Sequence, residues 1–344
     1  MKPLVSILIP AYNAQGSVAE TLASAIGQTW PRTEIIVVDD GSTDNTLAIA
    51  MRMASRGVKV VTHEHQGAAA SRNHALSLSQ GDYIQWLDAD DLLARDKIER
   101  QLSVLNDPPH ERTLLSSAWG TFMYRPSRAR FVGTALWQDL SPLEWLLRKM
   151  EQNAFIQTAA WLVSRKLTEA AGPWDTQLLS DDDGEYFCRV ILQSSRVVFV
   201  PDARVFYRMS GARNLSYIGW SNEKMDAQLR SMRLQIGYLR SLEESQRVRA
   251  AAVEYLQAGL PNFYPHRPDL VAQAEQLAAT VGGRLEMPRF SWKYSWIEAI
   301  FGSVAAKRAE IFLPRLRWSI ARSCRKLAAS IDKYSLPGTS NDWR

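Results

Sequence analysis

Three stretches of the chain gather carboxylates beside apolar runs. Residues 81–91 read GDYIQWLDADD, so Asp88, Asp90 and Asp91 follow YIQWL almost without spacing. Residues 35–45 read IIVVDDGSTDN and set Asp39 and Asp40 at the end of another apolar run. Residues 180–187 read SDDDGEYF, with Asp181, Asp182, Asp183 and Glu185 together. Like charges this close repel and raise one another's pKa. A divalent cation offsets that repulsion, and hard oxygen donors suit Mg²⁺ or Mn²⁺; Mg²⁺ is commonly held by one or two carboxylates plus substrate phosphates. Asp88 and Asp90 can converge on such an ion. The competing reading is an acidic helix start, since DDLLARDKIERQL opens a helical pattern and carboxylates are favoured there, with Asp91 as the cap. Asp39 and Asp40 can accept from ribose hydroxyls or a base N–H. Alternatively they belong to turn chemistry with Gly41, Ser42, Asp44 and Asn45, and Ser42 or Asp44 caps the next helix. At Asp181–Asp183, a general base competes with a solvated acidic helix start.

Such residues need a frame to bring them together. VSILIP, EIIVVDD, VKVVTHE and YIQWLDADD are strand-like runs apolar on both faces. Between them lie SVAETLASAIGQT, STDNTLAIAMRMASR and GAAASRNHALSLS, which read as helices. In the first, Val18, Leu22, Ala25 and Ile26 share a face, and Ser17 with Glu20 makes a capping box. Buried strands alternating with helices predict a parallel sheet covered on both sides, and ligands bind such sheets at the carboxyl ends of the strands, where the polar clusters stand. Further along, TLLSSAWGTFMY and ARFVGT suggest strands and SPLEWLLRKMEQ a helix. TAAWLVSRKLTEAAGPWD reads as a strand and a short helix closed by Gly172 and Pro173, and RVVFVPDARVFYRMSG as a strand pair around Pro201 and Asp202. The pattern is helical from Ser221 to Gly259.

The chain has 344 residues, 46% of them hydrophobic and 22% charged, which fits one large or two moderate globular domains. Cys188 and Cys324 cannot make a disulfide framework, so a reducing cytosol is the expected compartment. No apolar run reaches the roughly 18–20 residues needed to cross a bilayer. PLVSILIPAYN is short, ends its run at Pro10 and lacks a small-residue cleavage site, which makes it a first strand rather than a signal peptide. Of the net charge of +5, residues 284–344 carry twelve Lys or Arg against five Asp or Glu, a balance of +7 that leaves −2 for the rest. There Trp292, Trp296, Phe301, Phe312 and Trp318 interleave with basic residues, in segments broken by Pro314. That mixture suits a membrane surface or a helix pair packed on the preceding domain. No recognition motif points to nucleic acid. The place after the first strand reads PAYNAQGS, not the GxGxxG of a dinucleotide oxidoreductase. It also lacks the Gly-rich, Arg-bearing loop of a sugar nucleotidyltransferase, and DADDLLA has no hydroxyl for an aspartyl-phosphate phosphatase.

IPAYN, EIIVVDDGSTDNT, GAAASRNHAL, GDYIQWLDADD and GPWDTQLLSDDDGEYFCRV follow one another over residues 3–210, and in that order they resemble the family 2 inverting glycosyltransferases of the GT-A fold. The resemblance implies an α/β, Rossmann-like, mostly parallel sheet flanked by helices: a catalytic domain over residues 1–215, then a helical C-terminal region over 216–344 with the basic, aromatic-rich tail. It implies that Pro10, Ala11, Tyr12 and Asn13 line a nucleotide pocket, that Asp39 holds the base with Asp40 beside it, and that Arg72 reaches the nucleotide. Asp88, Ala89 and Asp90 match the family's DxD: Asp88 faces ribose and the metal side, and Asp90 holds Mn²⁺ or Mg²⁺ on the diphosphate. Asp183 matches the catalytic base, with Asp182 the alternative register, and Trp174 the aromatic residue ahead of the acceptor. Relatives with a His after a YR pair gain a further metal-side ligand; this chain has Ser210 there. The implied reaction takes a sugar from a nucleotide-diphosphate donor, UDP first, to a hydroxyl of a saccharide or lipid-linked saccharide. Its setting is cell-surface polysaccharide or glycolipid synthesis, in the cytoplasm and peripherally on the inner face of the plasma membrane. The alternative is a non-catalytic relative that binds sugar nucleotide in a membrane-associated assembly complex; intact Asp88, Asp90 and Asp183 argue against it.

Overall fold

The computed structural model describes residues 2–105, 111–209, 221–288 and 291–310. The first half alternates as its apolar runs require: β1 (Val5–Ala11), α1 (Val18–Ile26), β2 (Thr33–Asp39), α2 (Thr46–Met51), β3 (Val58–Thr62), α3 (Ala68–Ser77) and β4 (Tyr83–Trp86). There follow β5 (Leu92–Leu93), α4 (Lys97–Ser103), β6 (Thr113–Phe122), β7 (Arg130–Phe131), α5 (Pro142–Glu151), β8 (Val163–Ser164), α6 (Arg165–Ala171), α7 (Asp182–Gln193) and β9 (Arg196–Arg208). Three helices complete the named elements: α8 (Asn222–Leu242), α9 (Gln246–Gly259) and α10 (Pro268–Thr280). Residues 292–310 are also helical.

One sheet has the order β3-β2-β1-β4-β8, with β1 parallel to β2 and to β4, β2 parallel to β3, and β8 antiparallel at the edge. Val5, Ile7, Leu8 and Ile9 of the central strand are all fully buried. That is possible only when both sheet faces are covered, and each such side chain contributes about 1.5–3 kcal/mol on burial. The strand order reverses between β1 and β4, so a crevice opens beyond their carboxyl ends. The second sheet, β5-β9-β6-β7, is built around a parallel β6–β9 pair.

Two local expectations change. RVVFVPDARVFYR is one strand, not a pair: its register with β6 slips between Ser117 and Ala118, from Val200 to Arg204, so Pro201, Asp202 and Ala203 form a bulge. A bulge absorbs a proline, which has no N–H to give a ladder, without ending the strand. Ser17 precedes α1 but makes no side-chain cap. Its Oγ donates instead to the carbonyl of Ala89, 3.0 Å away, and Thr21 Oγ1 donates to the same oxygen at 3.0 Å. Two hydroxyls, one just ahead of α1 and one within it, thus hold the middle of the DAD sequence.

The C-terminal helices share the core of the sheets; the buried cluster runs from Val5 to Val281. On α8, Met225, Leu229, Met232, Ile236 and Leu239 are buried at alternating steps of four and three, the spacing of one helical face. Ser221 caps this helix, accepting from the Lys224 amide. Phe312, Pro314 and Trp318 of the tail, and Ser210, lie outside the described residues.

Candidate active site

At the end of β2, Asp39 is only 1% exposed. Its Oδ2 accepts from the Ser42 amide (3.1 Å) and Thr62 Oγ1 (3.2 Å), while its Oδ1 is buried without a hydrogen-bond partner in the chain. A buried carboxylate oxygen left unpaired is costly, and a ligand N–H would satisfy it. Asp40 has no such vacancy. Its Oδ1 accepts from the Gln66 amide (2.8 Å), its Oδ2 from the Gly67 amide (2.9 Å), and His65 Nδ1 lies 2.8 Å from Oδ2. Asp40 thus pins the loop ahead of α3, whose Gly67 takes a left-handed φ of 93°. At the end of β1, half-buried Pro10 and buried Ala11 lead to Tyr12, which is exposed and stacks on His65 with ring centroids 4.2 Å apart. Asn13 (φ 47°) donates its amide to Ser42 Oγ (3.0 Å) and accepts at Oδ1 from the Thr43 amide (2.9 Å), joining the two loops. That contact occupies Ser42, so it does not cap α2. Asp44 Oδ1 accepts from the Thr46 amide at the start of that helix.

Beyond β4, Asp91 does not cap a helix; α4 begins only at Lys97. Asp91 is fully buried, accepting at Oδ1 from the Arg208 amide (2.8 Å) and at Oδ2 from Gln157 Nε2. Burial, then the neighbouring Asp90 and Asp88 charges, push its pKa well up. Arg208 also donates from Nε to the Asp90 carbonyl (2.8 Å) and pairs with Glu20 at 2.5 Å. Neither Gln157 nor Arg208 entered the reading of the sequence as a site residue. Arg208 sits in the YR pair, which gave a hint; Gln157 has no sequence signal.

The third cluster opens α7. Asp181, in a left-handed conformation (φ 56°), accepts at Oδ2 from Ser231 Oγ (2.7 Å) and Gln235 Nε2 (2.6 Å) of α8. It is an anchor, not a solvated turn. A Cβ on Gly184 would come within 2.1 Å of Asp181 Oδ1, so only glycine fits there. Gln235 is held in turn by buried Lys149 Nζ (2.7 Å). Asp182 pairs with Arg72 Nη1 at 2.7 Å, and Asp88 with Arg72 Nη2 at 2.8 Å. Burial opposes the Arg72 charge and the two carboxylates more than offset it. Asp183 has lighter ties: its Oδ1 accepts from the Gly184 amide (2.9 Å) and its Oδ2 from Thr158 Oγ1 (3.4 Å). Burial, followed by the charges of Asp182 and Asp181, pushes its pKa up to about 7. A carboxylate poised there is matched to general-base work near neutral pH.

Trp174, expected ahead of the acceptor, is 1% exposed. Tyr186 stacks against its ring at 4.0 Å, and the Arg72 guanidinium lies 4.4 Å from the ring centroid. Asn73 fastens it by a double hydrogen bond to its backbone (2.8 and 2.9 Å). It offers no open face to a sugar; it supports Arg72 from below.

Arg72 thus joins Asp88 to the turn carrying Asp183, while Asp39 lies at the end of β2, on the far side of β1. Asp88 and Asp90 provide hard oxygens for a cation, and among the described residues no third His, Cys, Asp or Glu joins them in a metal-binding group. That donor set suits a cation whose remaining ligands come from a bound diphosphate.

Residues 6–169 match the family model described as glycosyl transferase family 2. The Escherichia coli UDP-Glc:alpha-D-GlcNAc-diphosphoundecaprenol beta-1,3-glucosyltransferase WfgD is 38% identical over 103 residues, 30% of this chain and 41% of that protein. The chain spans about two-fifths of the length of the curated relatives it matches in this way, 41–42%. The structure of S. aureus TarS 1–349 in complex with UDP-GlcNAc superposes with a TM-score of 0.65 at 19% identity, covering 81% of each chain. The mannosyltransferase PcManGT of Pyrobaculum calidifontis, solved with GDP-Man and Mn²⁺, gives a TM-score of 0.50 at 19% identity over 98% of this chain and 89% of that one. These likenesses establish the GT-A fold expected from the sequence.

Proposed function

We propose that this chain, a member of glycosyl transferase family 2 through residues 6–169, moves a sugar from a nucleotide-diphosphate donor to an acceptor hydroxyl with inversion at the anomeric carbon. The observation that carries the reading is Arg72. One guanidinium holds Asp88 at 2.8 Å and Asp182 at 2.7 Å, so two clusters about ninety residues apart in sequence serve one site. The unpaired Asp39 Oδ1 receives the N–H of a base, and UDP is the first choice, as in the TarS complex. Tyr12 and Asn13 flank the nucleotide. Asp88 and Asp90 would hold Mn²⁺ or Mg²⁺ with the diphosphate, and a cation there supplies charge neutralisation for the leaving group; the Mn²⁺ in PcManGT supports this choice.

Asp183 takes the proton of the acceptor hydroxyl as that oxygen bonds to the anomeric carbon. The bond to the diphosphate oxygen breaks on the opposite face, and the diphosphate leaves with the electron pair. Arg72 occupies Asp182 in an ion pair and opposes the upward push of burial on its pKa, which leaves Asp183 as the proton acceptor. The WfgD relative, named for a diphosphoundecaprenol substrate, supports a lipid-linked saccharide acceptor in cell-surface polysaccharide or glycolipid synthesis. The tail suits that setting. Trp292, Trp296, Ile300 and Val304 recur every fourth residue along helix 292–310, and with Phe301 all are exposed. An apolar stripe in a segment with balance +7 fits the face of an anionic bilayer. Among the described residues no helix is long and apolar enough to cross a membrane.

The test is a screen of UDP-, GDP- and dTDP-sugars for Mn²⁺-dependent binding and turnover. Turnover of one donor class that needs the cation is expected. Binding without turnover toward any saccharide or lipid-linked acceptor would favour the non-catalytic relative, and no binding at all would remove the reading.

A further inference from the structure

Behind the turn that carries Asp183, side chains from four helices meet: Lys149 of α5, Cys188 of α7, Ser231 and Gln235 of α8, and Tyr255 of α9. Gln235 stands at their centre and is fully buried. Its Oε1 accepts from Lys149 Nζ at 2.7 Å, from the Tyr255 hydroxyl at 3.2 Å and from Cys188 Sγ at 3.5 Å. Three donors on one oxygen leave the amide a single orientation. Its Nε2 must face the other way, where it donates to Asp181 Oδ2 at 2.6 Å and to Ser231 Oγ at 2.8 Å. Lys149 is the costly member. It is 6% exposed, and among the described residues its ammonium bonds only neutral groups, Gln235 Oε1 and the Tyr255 hydroxyl. Burial opposes its charge; Tyr255, Cys188 and Asp181 more than offset that, and Asp181 is the one carboxylate of the three. A buried ammonium with no adjoining carboxylate is a dearer filling than an apolar side chain of its size. Packing α5 against α8 and α9 therefore does not account for it. A task beyond packing does. Lys149 fixes the Gln235 amide, Gln235 fixes Asp181, and Asp181 keeps its left-handed φ of 56° two residues ahead of Asp183.

We propose that Lys149 and Gln235 are positioning residues for the base: acting through Asp181, they hold the turn that aims Asp183 at the acceptor hydroxyl. Neither touches the reacting atoms. The proposal rests on the transfer proposed above.

Gln235→Glu separates positioning from packing. The introduced carboxylate pairs directly with Lys149 and relieves its buried charge, but it has no N–H for Asp181 and repels it. A network that only packs the helices would leave this variant as stable as the parent and as fast. Positioning gives the opposite: kcat falls by about 10²-fold, the effect of a small displacement of a reacting group, while the KM for donor stays unchanged. Lys149→Met frees the amide to turn and should lower kcat in the same direction, by less. UDP affinity by calorimetry should match the parent in both and shows that they are folded; if Gln235→Glu does not bind UDP, Lys149→Met decides. Added to Asp183→Asn, Gln235→Glu should slow the residual transfer no further, because no base remains to be aimed. The proposal is overturned if the folded variant transfers like the parent, or if its loss is as large in the Asp183→Asn background. A parent chain that transfers sugar from no donor would instead overturn the transfer itself, and the role of this network with it.

Discussion

The two acidic triplets, Asp88-Asp90-Asp91 after β4 and Asp181-Asp182-Asp183 at the start of α7, divide their labour alike, with the anchor last in one and first in the other. In each, one carboxylate anchors the loop: Asp91 through Gln157 and the Arg208 amide, Asp181 through Ser231 and Gln235. In each, one is bound by Arg72: Asp88 and Asp182. The third is the one proposed for chemistry, Asp90 on the leaving-group side and Asp183 on the acceptor side. The difference lies in the anchors. Asp91 is fully buried inside the sheet domain, whereas Asp181 is half-buried and held by a helix from the C-terminal region. The donor side is therefore fixed by the sheets themselves, and the base side depends on how α8 sits. A carboxylate's role in a run of aspartates is set by its partner, not by its place in the run.

The largest expected effect breaks the symmetry at its chemical end. Asp183→Asn should cut transfer by about 10²–10⁴-fold, the usual worth of a general base, while donor affinity holds. With its pKa near 7, Asp183 is protonated and inactive in acid, so kcat/KM of the parent chain should rise with pH through about 7 and level off above it. A profile flat from pH 5 to 9 would separate Asp183 from the rate. Next comes Arg72→Met. It strips both triplets of their common partner and leaves Asp88 and Asp182 facing each other, at about 3–5 kcal/mol of stability by thermal denaturation; a loss below 1 kcal/mol would mean that the bridge is not structural. Asp91→Ala strands a buried amide and Gln157 and should lose about 1–3 kcal/mol. Asp181→Ala should lose less stability, because its site is more exposed, yet it should slow transfer by loosening Asp183. If the two alanine variants behave alike, the distinction between the anchors fails. The smallest effect is Ser17→Ala, which removes one of two donors to the Ala89 carbonyl: about 0.5–1.5 kcal/mol, read as a small shift in Tm.

The sheet was legible because β1, β2 and β4 are apolar on both faces, a pattern only a doubly covered sheet explains. Asp39, Asp88 and Asp183 stand out as candidates in the sequence because their clusters lie at strand ends or at a helix start. What escaped depends on partners distant in sequence. Asp91 looked like a cap because Gln157, 66 residues on, and Arg208, 117 residues on, leave no mark near it. Asp181 looked solvated because its donors lie on α8, and the amides that occupy Asp40 belong to the β3–α3 loop. Ser17 and Glu20 have capping-box spacing, but the Ala89 carbonyl competes for the hydroxyl. Pro201 and Asp202 imitate a turn, and only the β6 partner shows that the strand continues through them.

The proposed transfer is a single displacement, with Arg72 holding Asp88 and the base turn to one site and Asp183 taking the proton. The most direct measurement is the anomeric configuration of the first-formed product, by proton NMR of the new glycosidic linkage against that of the donor. A single displacement gives inversion, lost together with activity in Asp183→Asn. A product that retains the donor's configuration would contradict it, because one displacement cannot retain and the acidic turn at Asp183 would then have another task.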